Sequence, residues 1–162
     1  MWMPATSGVS YFTALGLEAK TAMSSYRTKK VPLVSIRMEG PAEKEPFMVV
    51  YEPTSVKEGG IIHSVERLPI SSVSAATALK VKDKEGGVYI FGNSNKGKAE
   101  IKGGQTFMGD LAVFAETKEK NILYLGNGEC VENNDFLVTC EKGMKGDVTL
   151  EYSDERLLIL AR

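Results

Sequence analysis

The segment from Gly104 to Cys140 constrains the fold more than any other part of the chain, because its apolar runs and turn residues alternate most regularly. Two runs, Leu111–Ala115 and Ile122–Leu125, are too short for a stable helix, and the polar residues 118–121 between them predict a reversal. We therefore expect a β-hairpin, followed by two further turns at Gly126-Asn127-Gly128 and Asn133-Asn134-Asp135, whose residues tolerate positive φ. Both strand faces of these runs are apolar, which predicts strands covered on both sides, as in the middle of a β-sandwich.

The rest of the chain repeats this rhythm of short strands and turns rich in Gly, Asn and Asp. In Val9–Leu17 and Ala19–Arg27 the signals for helix and strand are nearly balanced, and we favour strands. Other segments alternate clearly or are continuously apolar: Val31–Glu39, Phe47–Tyr51, Ile61–Leu68, Leu79–Lys82, Val88–Phe91, Lys98–Lys102, Asp147–Tyr152 and Arg156–Ala161. The pattern predicts an all-β, antiparallel two-sheet β-sandwich, with a jelly-roll or cupin-like barrel as the alternative.

Length and charge narrow the class of protein. The chain has 162 residues, which predicts a single domain over residues 1–162, either complete or a fragment of a larger protein. Its formal net charge is −1, whereas a nucleic-acid partner calls for a clustered excess of Lys and Arg. No run approaches the ~20 apolar residues of a membrane-spanning helix, and the first residues, MWMPATSG, lack the pattern of a signal peptide. We therefore expect neither a nucleic-acid partner nor a membrane span.

The two cysteines, Cys130 and Cys140, flank the Asn133-Asn134 turn. A two-residue turn there pairs Cys130 with Leu137 and places Cys140 on the opposite face of the hairpin. The sequence therefore predicts that the two thiols are not bonded to each other.

The sequence contains no pattern typical of a catalytic centre. His63 is the one histidine, which excludes a metal site with several histidine ligands. There is no Gly-x-Ser-x-Gly elbow, and the glycine-rich residues 92–97 lack both the Gly-Lys-Ser/Thr end of a phosphate loop and a following helix, so we expect a hairpin turn there. The sequence predicts no catalytic residue, no metal and no cofactor.

A ligand-binding site is the more specific hypothesis. Strand alternation puts His63 on the same face as Val65 and Arg67, with Glu66 on the other face. Together with the aromatic ring of Tyr51, His63 and Arg67 could grip a sugar acid, because Arg pairs well with carboxylates and sulfates. The alternative for His63 is a half-buried histidine of the sheet that contacts no ligand.

Two further functions stay open at this point. Carboxylate pairs such as Glu52 with Glu66, or Asp110 with Glu116, suit a free-standing carbohydrate-active enzyme only if they face each other across a glycosidic bond. A structural or oligomerisation module is the other alternative. Both differ from a binding domain in what they predict for purified protein: turnover in the first case, and no ligand at all in the second.

The order of segments resembles the C-terminal β-sandwich of heparinase II/III-like polysaccharide lyases over Val31 to Tyr152. The residues that carry the resemblance are Phe47–Pro53, Leu79–Val81, Val88–Asn93, Asp110–Phe114 and Leu123–Gly128. The resemblance implies a non-catalytic accessory domain that binds an acidic polysaccharide or supports a catalytic helical domain. It also implies a bacterial protein exported to the periplasm or the extracellular space, and it transfers no catalytic residue to this chain.

Overall fold

The computed structural model describes residues 1–3, 9–17, 30–39, 48–54, 59–71 and 76–162. The chain divides into two compact units, one formed by Thr6–Pro41 and the other by Met1–Ala5 together with Ala42–Arg162. The described residues contain strands and turns and no helix, and every strand pair is antiparallel. The expectation of an all-β, antiparallel fold is confirmed.

The described residues of the smaller unit form one antiparallel pair, β1 (Val9–Leu17) and β2 (Lys30–Met38). Its register runs from the Val9–Met38 pair to the Leu17–Lys30 pair without a shift. The strand expected at Val9–Leu17 is therefore present, and the strand expected from Val31 lies within β2. The segment Ala19–Arg27 lies outside the described residues.

The larger unit is built on one nine-stranded sheet in the order β11-β10-β8-β7-β6-β5-β3, with β4 paired to β6 and β9 paired to β8. Its strands are β3 (Ile62–Arg67), β4 (Ile70–Ser71), β5 (Thr77–Asp83), β6 (Val88–Ile101), β7 (Thr106–Glu116), β8 (Asn121–Glu132), β9 (Leu137–Thr139), β10 (Gly146–Tyr152) and β11 (Leu157–Ala161). The sheet is open, and β3 and β11 are its two ends. It is not the closed barrel of the alternative reading.

The long strands change partners along their length, which folds the sheet over. The first half of β6 pairs with β5, but its last residues, Glu100 and Ile101, pair with β4. Likewise β8 pairs with β10 through its first half and with β9 through its last three residues. The register shifts between the two halves, and such bulges bend strands.

Both halves of the folded sheet contribute side chains to one hydrophobic core. Phe107 lies in the first half of β7 and Phe114 in the second, and their rings meet edge to face with centroids 6.4 Å apart. The buried cluster comprises Ala78, Ile90, Ala99, Ile101, Phe107, Ala112, Phe114, Leu123, Leu125, Val131 and Leu150. Two sheet layers facing across a shared core form a β-sandwich, as the sequence predicts.

Two glycine-rich segments that the sequence predicts as turns are strand interiors at these bulges. Residues 92–97 lie inside β6, and residues 126–128 lie inside β8. A Cβ at Gly92 would lie 2.5 Å from Cζ of Phe107, and a Cβ at Gly128 would lie 2.6 Å from the carbonyl oxygen of Met108. Glycine is required here because neighbouring groups approach the backbone closely, not because the chain reverses.

The hairpin that carries the cysteines differs from the predicted one. Asn133 N–H donates to the Phe136 carbonyl at 3.0 Å, so the two turn residues are Asn134 and Asp135, one position later than expected, and Cys130 pairs with Thr139 rather than Leu137. Cys140 N–H donates to the carbonyl of Glu129, the neighbour of Cys130 on β8. The two cysteines are free thiols on successive rungs, where alternation still directs their side chains to opposite faces.

Candidate functional site

His63 lies on β3, the strand at one end of the large sheet. Ile62 pairs with Asp83 and Ser64 pairs with Lys82, so His63 is the extra residue of a β-bulge between these two rungs. Its side chain is exposed, while Val65 and Arg67 are half-buried. The bulge interrupts simple alternation between His63 and the rest of the strand, and it turns this imidazole toward solvent.

Tyr51 is placed beside the start of β3 by its neighbour Glu52. Oε1 of Glu52 accepts a hydrogen bond from Ile62 N–H at 2.7 Å, and Oε2 accepts one from Trp2 Nε1 at 3.0 Å. These bonds lower the pKa of Glu52, the bond from Ile62 most of all, so the carboxylate stays ionised and keeps both donors. The anchored segment presents the Tyr51 side chain with 74% of its surface exposed.

Arg67 lies at the other end of β3 from His63. It is half-buried and pairs across the strands with Leu79, which is 9% exposed. Arg67 is four positions along the extended strand from His63, a distance of about 13 Å. The three sequence-predicted residues Tyr51, His63 and Arg67 therefore do not close a single pocket, because Arg67 lies on the Leu79 side of the strand while His63 is exposed at the bulge.

The neighbouring strand adds lysines that the sequence interpretation of this site did not include. Lys80 and Lys82 of β5 pair across with Glu66 and Ser64 of β3, so the four share one face. Glu66 offers an opposite charge to Lys80, whereas the exposed Lys82 lies opposite an uncharged serine and next to the bulge at His63. The alternation of Leu79–Lys82 was visible in the sequence, but its pairing with β3 was not.

Hydrogen bonds and burial shift the pKa of several titrating groups among the described residues. Hydrogen bonds lower the pKa of three carboxyls: Glu52 as above, Asp83 chiefly through Gly87 N–H, and Glu132 chiefly through Lys98. Burial raises the pKa of the phenols of Tyr89 and Tyr152, which makes them weaker proton donors at neutral pH. A general acid needs a raised carboxyl pKa and a phenolate base a lowered phenol pKa, and these five groups are shifted the other way.

A second polar cluster lies at the bulges of the central strands. Asn127 Nδ2 donates to a carboxylate oxygen of Asp110, Asn127 N–H donates to Oδ1 of Asp147 at 2.7 Å, and Asn93 Nδ2 donates to the Asp110 carbonyl. Asn127 has φ of 45°, a conformation that Asn tolerates better than most residues. The carboxylates of Asp110 and Asp147 give this surface negative charge, which would repel an anionic ligand.

Among the described residues, no group of three or more His, Cys, Asp or Glu side chains is arranged to hold a metal ion. No helix in this part of the chain is long and apolar enough to cross a membrane. The exposed side chains of Tyr51, His63 and Lys82, here called the β3 row, combine an aromatic ring, an imidazole and a cation at this edge of the sheet.

Comparison with known proteins finds part of one large enzyme that is similar to this chain. The chain is similar to an endo-acting ulvan lyase of Formosa agariphila, with 30% identity over 149 residues. The match covers 87% of this chain but 18% of the length of that lyase. No family model matches the chain, and no solved structure matches it.

Proposed function

We propose that this chain is a non-catalytic accessory β-sandwich domain of a polysaccharide lyase, and that it binds an acidic polysaccharide along the β3 row. The observation that carries the proposal is the asymmetry of the match, which takes in 87% of this chain and 18% of a lyase. A segment of that relative length corresponds to one module of a much larger enzyme. This similarity supports a place next to a catalytic domain, as in the heparinase II/III-like arrangement, and export from a bacterium.

The chemistry of the β3 row supports a polysaccharide that carries carboxylates or sulfates. The ammonium of Lys82 pairs with anionic oxygens, and the exposed ring of Tyr51 offers an apolar face for a sugar ring. Contacts made by exposed charges predict modest affinity that falls as salt increases.

The row also explains how binding can occur without turnover. The Glu52 carboxylate nearest to Tyr51 is occupied by Trp2 and Ile62, and its lowered pKa keeps it from donating a proton. The other perturbed carboxyls, Asp83 and Glu132, are equally committed to hydrogen bonds. In this proposal the catalytic groups belong to another domain, which the accessory domain keeps close to the polymer.

Calorimetric titration of the purified chain with ulvan, heparan sulfate, chondroitin sulfate and alginate tests the proposal. We expect at least one anionic polymer to bind, with an affinity that weakens with salt. Lys82→Ala and Tyr51→Ala should each weaken binding by roughly tenfold, the equivalent of about 1.4 kcal/mol. Lys118→Ala, which removes an exposed lysine from the turn between β7 and β8, is the matched control and should bind like wild type.

Two results would contradict the proposal. The absence of binding to every polymer in the panel would favour a purely structural module. Binding that Lys82→Ala and Tyr51→Ala leave unchanged would place the polysaccharide on another surface.

A further inference from the structure

Strand β11 (Leu157–Ala161) is an unusually apolar end of the large sheet. Its sequence, LLILA, contains no charged or polar side chain. Leu157, Ile159 and Leu160 are 53%, 57% and 56% exposed. Among the described residues β11 has one neighbour, β10, so its other side is unpaired.

The hydrogen-bond pattern defines which backbone groups of β11 point away from the sheet. Asp147 and Arg162 exchange both of their backbone hydrogen bonds, at 3.1 and 2.9 Å. Because such pairs alternate along an antiparallel ladder, Leu160 and Leu158 bond to β10, while Leu157, Ile159 and Ala161 direct their N–H and C=O groups outward. Three donors and three acceptors therefore form an unused row.

Strand β3, at the opposite end of the same sheet, is an edge that is protected against pairing with another strand, unlike β11. Strand β3 carries His63, Glu66 and Arg67 and is interrupted by a bulge, features that prevent pairing with another strand. Strand β11 has a regular register over all five residues and none of these features. An apolar, regular edge of this kind is suited to being covered by another strand.

We propose that two copies of this chain pair antiparallel through β11, around a twofold axis at Ile159. This register, in which Ile159 faces the same residue of the partner and Leu157 faces the partner's Ala161, uses all three outward N–H groups and all three outward C=O groups of each copy. A shift by two residues along the edge would lose one of these pairs. The contact is isologous, so it closes at two copies and leaves no further edge of this kind.

The side chains fit the same register. Leu158 of one copy lies opposite the partner's Leu160 on one face of the joined sheet, and this pair occurs twice by symmetry. On the other face Leu157 lies opposite the small Ala161 of the partner, and the two copies of Ile159 meet at the axis. Apolar pairs of this kind stabilise adjacent strands.

Charge occurs only at the two ends of the seam. In this register Arg156 lies opposite the partner's Arg162, and like charges directly across a strand pair oppose pairing. Added salt screens this repulsion, so the dimer should tighten as salt increases. That dependence is opposite in sign to the one expected for binding of an acidic polysaccharide, which separates the dimer proposal from the proposed function.

Sedimentation analysis of the full chain over a wide range of concentration tests the dimer. We expect a reversible monomer–dimer equilibrium that shifts toward dimer with salt. Ile159→Lys should abolish the dimer, because it places two ammonium groups at the axis, whereas Met144→Lys adds the same charge at an exposed loop position and should leave the equilibrium unchanged. Arg156→Glu should tighten the dimer by roughly tenfold, since it turns both like-charge pairs into opposite-charge pairs.

Amide exchange gives an independent readout if Ile159→Lys fails to fold. In wild type the amides of Leu157, Ile159 and Ala161 should gain protection as concentration rises, and those of Leu158 and Leu160 should change little. A chain that stays monomeric at every concentration, or a dimer that Arg156→Glu weakens, would overturn the proposal.

Discussion

Asp83 shows how a single carboxylate organises the turn between β5 and β6. Its Oδ1 accepts hydrogen bonds from Gly87 N–H at 2.7 Å and Glu85 N–H at 2.9 Å, and its Oδ2 accepts one from the Tyr89 hydroxyl at 3.1 Å. These hydrogen bonds lower the pKa of Asp83, and the bond from Gly87 N–H has the largest effect. The hydrogen bond from the Tyr89 hydroxyl contributes to the raised pKa of Tyr89, after the larger effect of burial.

We therefore predict that Asp83→Ala lowers the thermal midpoint, while Glu85→Gln in the same turn does not. Loss of Asp83 leaves two backbone donors and one hydroxyl without their acceptor, so the folded turn loses three hydrogen bonds. Circular dichroism melts of the two variants and wild type provide the measurement. Equal midpoints for Asp83→Ala and wild type would show that water replaces the carboxylate at no cost.

The lowered pKa of Asp83, shared by two other carboxyls, predicts how the stability of the protein changes in acid. The folded-state pKa values of Asp83, Glu52 and Glu132 lie below their unfolded values of about 4, so the stability they contribute is present above that pH and is lost as pH falls through the folded values. We expect wild type to lose stability below about pH 4 and Asp83→Ala to lose less. Chemical denaturation at a series of pH values measures both slopes; parallel curves would contradict the assignment.

The cysteine thiols provide a second residue-scale prediction. Burial is the largest cause of the raised pKa of Cys130, and Cys140 Sγ lies 3.3 Å from the Gly128 carbonyl, to which it donates. We expect both thiols to be reduced and Cys130 to alkylate slowly at neutral pH, because the thiolate is the reactive form. Intact mass after alkylation, with and without reductant, gives the count. A gain of two labels that requires reduction of the monomer would reveal a bond between them.

At the scale of elements, the glycines at the bulges leave room for side chains of the sandwich core to pack against the backbone. The ring of Phe107 occupies the space above Gly92 that a side chain would fill. We predict that Gly92→Ala destabilises the protein by about 1–3 kcal/mol, the usual cost of overpacking a core. In a double-mutant cycle, Phe107→Leu should cost less in the Gly92→Ala background than in wild type. Additive effects would mean that the ring and the glycine do not compete for space.

The central hairpin, formed by β7 and β8, has a buried residue on one face and a half-buried residue on the other. Leu123 is 1% exposed in the core, whereas Val113 on the opposite face of the hairpin is half-buried among the described residues. Leu123→Asp should prevent folding, because an unpaired buried charge costs several kcal/mol against a total stability of roughly 5–15 kcal/mol. Val113→Asp should lower the unfolding midpoint and keep a cooperative transition. Urea unfolding compares them, and equal midpoints would contradict this placement of the core.

The same elements show what sequence alone could predict. The apolar runs Leu111–Ala115 and Ile122–Leu125 lie within β7 and β8, because continuous apolar residues between polar turns have few other solutions. Sequence alone assigns Gly92, Gly126 and Gly128 to turns, since local propensity cannot distinguish a reversal from a close contact such as that of Gly92 with Phe107 or of Gly128 with Met108. That contact depends on strands far apart in sequence.

At the scale of the whole molecule, pairing between strands decides the site as well as the fold. The sequence pointed to Tyr51, His63 and Arg67 as ligand-binding residues, and this assignment stays a prediction. It could not reveal the bulge at His63 or bring Lys82 to the same edge, because both follow from the register of β3 against β5. That residues 1–162 act as one domain also stays a prediction, since the structure describes two compact units separately.

The central claim is that this chain binds polysaccharide without cleaving it. The most direct test is the release of unsaturated uronide from ulvan and the other anionic polymers, followed by its ultraviolet absorbance, at protein concentrations where calorimetry shows binding. The account predicts saturable binding with no increase in absorbance. Turnover by the purified chain that disappears in His63→Ala would contradict it, and would show that the β3 row is an active site.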